Sequence, residues 1–236
     1  MDAQKGNYEK ALIDFDKALK VYSDSYSVHN NIAGVYSAMK MNAQALNEFN
    51  KALELNPSSW EVFADRGVFY NKVGQHQLAF DDYNRSLEIN PRQPQIYNER
   101  GNIYYLNGEY KTALGDYNQA LEYDPNYPDA LFNRGIVYNT LKFYSYAVDD
   151  FTKIIKLDPN YSRAYLQRAN NSTLLQNFDQ AIKDYSYLIK QTSNNGMLYF
   201  RRGLVYKANN DLEQFEEDIL KAKALGVNIE EEEIKF

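Results

Sequence analysis

Two histidines, His29 and His76, are the side chains of this 236-residue chain best suited to pass protons or hold a metal near neutral pH. Neither has the company that such chemistry needs. The chain has no cysteine, and no set of carboxylates or further imidazoles stands at ligand spacing around either histidine. No nucleophile is placed beside a base. A phosphate-cradling glycine loop must follow a strand, and no stretch alternates in the way a strand requires. The sequence therefore assigns no catalytic residue, no cofactor and no metal, and the expectation is that the chain is not an enzyme.

One charged pattern does recur. Arg66, Arg100, Arg134, Arg168 and Arg202 are spaced 34 residues apart, and Asp14, Glu48, Asp82, Asp116, Asp150, Asp184 and Asp218 keep the same interval. A row of arginines suits an acidic ligand. An acid for every arginine favours the other reading, a repeated salt bridge between two helices, within one unit or across a seam between units.

The same interval governs the elements that must carry these charges. Pro57, Pro91, Pro125 and Pro159 are 34 residues apart, each preceded by Asn or Asp, and such a period marks a helical-hairpin solenoid. With Tyr26 as repeat position 1, six units follow: 26–59, 60–93, 94–127, 128–161, 162–195 and 196–229. Residues 1–25 read as a half repeat holding only a second helix, Tyr8 to Val21, and 230–236 as an acidic tail. Position 20 is alanine in Ala45, Ala79, Ala113, Ala147 and Ala181, and position 8 is Ala33, Gly67, Gly101, Gly135, Ala169 and Gly203. Rings recur at position 11 (Tyr36, Tyr70, Tyr104, Tyr138, Tyr206) and at position 24 (Phe49, Tyr83, Tyr117, Phe151, Tyr185).

These small and aromatic positions resemble the tetratricopeptide repeat family over nearly the whole chain. The resemblance implies an all-α, right-handed superhelical solenoid of antiparallel helix pairs. The residues support the pairs independently. Gln95 to Leu106 and Tyr110 to Tyr123 are each amphipathic, Gly74 and Gly108 suit a helix end, and Asn90-Pro91 and Asp124-Pro125 stop the second helix. A helix-interior glycine costs about 1 kcal/mol relative to alanine, so position 8 must be repaid by close helix approach, expected where positions 8 and 20 face each other. His29 falls at position 4, where other units have Phe63, Tyr97, Leu131, Tyr165 and Tyr199, and His76 at position 17, where Tyr8, Tyr110, Tyr144 and Phe178 stand, so each reads as a packing variant.

The net charge of −6 argues against a nucleic-acid partner. No apolar run reaches the roughly 20 residues of a membrane span, and the first residues are too polar for a secretory signal, so no membrane partner and a cytoplasmic location are expected. In the resembled family the first helices line a concave groove that holds an extended peptide or a partner helix. The resemblance thus implies a protein partner, and the groove positions give Asn98, Asn102, Tyr105, Phe132, Asn133, Asn139 and Asn170 as candidate lining residues. Asparagine both donates and accepts, which suits pairing with a peptide backbone; it is also simply abundant here. Some co-chaperone members clamp a terminal carboxylate with lysine at position 5, where this chain has Asn30, Ala64, Asn98, Phe132, Leu166 and Phe200. That clamp is missing.

At the start of the chain Leu12, Phe15, Ala18 and Leu19 lack a leading helix to cover them, which suggests a piece of a longer protein or a homodimer through that edge. Two alternatives to the interaction scaffold therefore stay open: a substrate-recruiting or regulatory arm of a larger enzyme, and a self-assembling module. The run Glu230 to Glu233 reads as a solvated tail or a contact for a basic partner.

Overall fold

A computed structural model describes residues 2–22 and 24–229, with side chains from Asn7 onward; the expectation for Glu230 to Glu233 lies outside the described residues. These residues hold thirteen α-helices and no strand. Two compact units, Met1–Asn107 and Gly108–Phe236, divide the chain. The first contains α1 (Asp2–Val21), α2 (Tyr26–Ala38), α3 (Asn42–Leu55), α4 (Trp60–Lys72), α5 (His76–Ile89) and α6 (Pro94–Leu106). The second contains α7 (Tyr110–Tyr123), α8 (Pro128–Thr140), α9 (Tyr144–Leu157), α10 (Ser162–Leu174), α11 (Phe178–Gln191), α12 (Gly196–Ala208) and α13 (Leu212–Ala224). Helix α1 starts at Asp2, ahead of Tyr8, where the apolar pattern begins.

Each helix ends for a local reason. At the close of the second helices, the side chains of Asn56, Asn90, Asp124 and Asp158 accept from the backbone N–H of Ser58, Arg92, Asn126 and Asn160, at 3.2, 3.0, 3.1 and 2.9 Å. Such a turn offers the backbone an alternative to the helix, and the proline between donor and acceptor cannot extend it. The next helix then begins on a cap such as Ser59, whose hydroxyl accepts from Val62 N, or on Pro94 or Pro128 in its first turn.

The break between first and second helix lies at position 15 and is left-handed in every unit. Gly74 and Gly108 have φ of 80° and 79°, and the non-glycine residues Lys40, Lys142, Gln176 and Asn210 are held at 60–63°. Glycine tolerates this conformation freely, whereas a side chain adopts it at a cost. The turn geometry is therefore imposed by packing of the helix pair, not by glycine.

Packing also explains the glycines of position 8, with one correction. A Cβ on Gly67 would lie 2.6 Å from the Tyr83 ring, and one on Gly135 would lie 2.8 Å from the Phe151 ring. The position-24 ring, not the side chain of the position-20 alanine, sits against the glycine; Ala79 comes near only through its carbonyl, at 3.3 Å. Tyr83 and Phe151 are fully buried. At 25 cal/mol per Å2 and roughly 150–250 Å2 per ring, each such burial contributes several kcal/mol, which outweighs the glycine penalty.

In the first unit the core runs through Ala33, Phe49, Val62, Phe69, Ala79 and Tyr83. In the second, Ala169, Ala181, Tyr185, Leu188, Leu198 and Val205 form one cluster, while Phe132 packs edge-on to Phe151 at 5.6 Å. Asn171 and Ser172 of α10 break this pattern. Asn171 stands at position 10, where other units have Val35, Phe69, Ile103, Val137 and Val205, and both residues are completely buried. The Asn171 Oδ1 and the Ser172 Oγ have no hydrogen-bond partner.

Candidate functional site

The arginine row is structural. Within a single unit, Arg66 grips Asp82 through two hydrogen bonds of 2.8 Å, and the pairs Arg134–Asp150, Arg168–Asp184 and Arg202–Asp218 repeat that bidentate geometry at 2.6–2.9 Å. A third bond reaches back to the preceding second helix. Arg66, Arg100, Arg134, Arg168 and Arg202 donate to Asn50, Asn84, Asn118, Thr152 and Ser186, all at position 25. Rings flank the same cations: Arg66 lies 5.8 Å from the Phe63 ring and 5.6 Å from the Tyr70 ring, and Arg202 is similarly held between Tyr199 and Tyr206. The Asp218 carboxylate holds the Arg202 guanidinium above its ordinary range. Burial alone would push Arg66 and Arg134 down, but Asp82 and Asp150 more than offset it. With every donor face engaged, these arginines tie helices and seams together and offer little to a ligand.

The two histidines differ from their expected roles. His29 is half-buried and its Nδ1 lies 2.6 Å from Glu48 Oε2, so it partners the acid of its own repeat, where position 7 is Ile32. His76 is exposed and bonds the Asn71 side chain at 2.8 Å instead of filling the core. Among the described residues no group of His, Asp or Glu is placed to hold a metal ion.

The candidate groove residues divide by exposure. Asn98 and Phe132 are buried, at 3% and 7% exposure; Phe132 packs against Phe151 and Tyr161 and beneath the Arg163 guanidinium. Asn102 and Tyr105 in the first unit, and Asn133, Asn139 and Asn170 in the second, are half-buried on their first helices.

In the second unit, α10, α11 and α12 enclose an open cavity of about 700 Å3. Its walls are mostly apolar, with Leu174, Phe178, Leu204 and Val205, and its polar side chains are Asn170, Thr173, Gln176, Tyr185, Arg201 and Lys207. Of the candidate asparagines only Asn170 is found here. Its Oδ1 accepts from the Tyr185 hydroxyl at 2.6 Å and from Arg201 Nη1 at 3.2 Å. Leu174, Arg201 and Leu204 occupy groove positions 13, 6 and 9, and a search for asparagines passes over them. The sequence carried little signal for them, because positions 9 and 13 are apolar in other repeats too, as at Val68, Ile136 and Leu106.

A family model described as TPR repeat matches residues 70–108 and 101–141, and one described as Tetratricopeptide repeat matches residues 26–59. No curated protein matches the sequence. Among solved structures, the chain is similar to YrrB, described as a TPR protein with an unusual peptide-binding site, at 21% identity and a TM-score of 0.71 over 75% of this chain and 92% of that one. It is similar to the C-terminal part of a TPR repeat-containing protein from Cytophaga hutchinsonii at 21% identity and a TM-score of 0.72, covering 94% and 92%. It is also similar to PilF of Pseudomonas aeruginosa at 22% identity and a TM-score of 0.68, covering 85% and 91%. Identity at this level establishes the fold alone. Paired helices repeating every 34 residues, small residues seated against rings and the two matching family models agree: the chain carries tetratricopeptide repeats, matched over residues 26–59 and 70–141, in an all-α fold similar to that of solved TPR proteins.

Proposed function

We propose that the first-helix walls of this protein-interaction scaffold bind an extended peptide segment or a helix of another protein. The observation that carries the reading is the 700 Å3 cavity on α10–α12, a largely apolar recess lined by side chains other than the paired arginines and aspartates. Cavities of this size and lining suit a bulky side chain. Half-buried Asn102 and Tyr105, and Asn133 and Asn139, offer polar and aromatic contacts on the same faces of their own units. The YrrB description mentions a peptide-binding site, and a comparable use of these walls is part of this proposal.

Site-specific photo-crosslinking tests it. A benzophenone amino acid placed at Asn139 or Thr173 should capture a discrete protein, while the same probe at exposed Lys156 or Arg85 on second helices should not. Equal capture from both faces would refute the assignment.

A second reading, pairing of two copies through α1, is favoured by Ile13, Val21 and Tyr22, which are 55%, 72% and 67% exposed. A concentration-dependent dimer abolished by Ile13→Glu supports it, and a monomer at every concentration removes it.

A further inference from the structure

We infer that the cavity between α10, α11 and α12 selects a bulky apolar side chain flanked by an acidic side chain in a partner peptide. The inference rests on the wall-binding reading above and gives it a chemistry. Three observations on the second unit support it.

The first is space. Thr173 and Ala208, which line the cavity, are shorter than Asn71 and Tyr105, and than Lys72 and Leu106, at the same repeat positions; Ser37 and Ala38 of the first repeat are equally short. The recess left between Leu174, Phe178, Leu204 and Val205 is large enough for a leucine or phenylalanine side chain, and these apolar walls favour one over a polar side chain.

The second is the hydrogen-bond sense of the rim. Asn170 has its carboxamide oxygen engaged by both Tyr185 and Arg201, so the Nδ2 amino group is the part left to a ligand. Arg201 is exposed and bonds a neutral amide, in contrast to Arg168 and Arg202 beside it, each locked onto an aspartate. Thr173 spends its hydroxyl proton on the Ala169 carbonyl at 2.9 Å. The rim therefore offers donors and positive charge, and a carboxylate satisfies both.

The third is access. Leu174 remains 56% exposed at the mouth, so a chain can enter and leave the recess, which favours an acidic side chain within a continuing segment over a terminal carboxylate.

The test uses the full chain as bait for a random peptide library presented with blocked C-termini. Selected peptides should share an Asp or Glu next to a bulky apolar residue, and their affinity, read by fluorescence polarisation, should fall about tenfold or more on Arg201→Glu. Lysine in place of the peptide acid should recover binding to that variant, and Ala208→Trp should remove the preference for the apolar residue. Arg201→Gln, which leaves no charge, provides an intermediate loss if the reversed charge perturbs folding. Peptides that bind through the crosslinked wall but lack the acid–apolar pair, that bind Arg201→Glu and Ala208→Trp unchanged, or that require a free C-terminus would overturn this inference and leave the wall reading standing. Selection of no peptide, together with equal capture from both helix faces, would overturn both.

Discussion

His29 Nδ1 lies 2.6 Å from Glu48 Oε2 and takes the part that an arginine plays in the later units. Glu48 also accepts from Lys51 Nζ at 2.7 Å. Burial pushes the Glu48 carboxyl up, but hydrogen bonds from Lys51 and His29 outweigh it and hold the group below its ordinary value. A lowered folded value means that the unfolded chain takes up this proton first as pH falls. The stabilisation is thus full above the ordinary glutamate value of about 4.3 and is lost as pH drops through the folded value. In urea titrations between about pH 6 and pH 3, Glu48→Gln should lose less stability than the wild-type chain; parallel profiles would count against the pair.

Arg134 is half-buried, doubly bonded to Asp150 and singly to Asn118. Removing it leaves a buried carboxylate without its cation. Arg134→Ala should cost about 2 to 4 kcal/mol in urea denaturation, and Arg134→Lys, which keeps the charge without the fork, an intermediate amount. Equal losses in the two variants would show that geometry contributes nothing.

Lys142 and Gln176 sit in left-handed backbone at φ of 63° and 60°. Each should gain about 0.5–1 kcal/mol on replacement by glycine, and Gly74→Ala should lose about 1 kcal/mol. The thermal midpoints of the three variants check the sign at each turn.

Gly135 and Gly34 should respond oppositely to alanine. A methyl on Gly135 meets the Phe151 ring at 2.8 Å, whereas one on Gly34 meets nothing within 4 Å. Overpacking of about 1–3 kcal/mol exceeds the helix-propensity gain at the first site, while at the second only the gain of about 0.5–1 kcal/mol remains. Calorimetry on both variants decides it, since a stabilised Gly135→Ala chain would contradict the tight seating of that ring.

Asn171 donates to the Gln167 carbonyl at 2.8 Å but leaves its buried Oδ1 unpaired, in a position that is aliphatic or aromatic in the other units. Valine there should stabilise the chain by about 1–2 kcal/mol. Hydrogen exchange should slow most in α10 if the relief is local.

The repeat length, the paired helices and the arginine–aspartate pairing were legible in the residues, because a side chain's place along a helix pair fixes which face it presents. That the arginines and acids pair was legible from their common spacing, but the choice of Asp150 of its own repeat as the partner of Arg134 was not. Other relationships depend on how far neighbouring helices approach and rotate, which periodicity does not encode. That approach put the Tyr83 ring rather than Ala79 against Gly67, turned Phe132 into the core, brought Asn118 to Arg134 and let His29 reach Glu48. It also opened the recess beside Asn170 and Arg201. A cavity is the space that side chains from three helices fail to fill, and only their tertiary arrangement determines its size and lining.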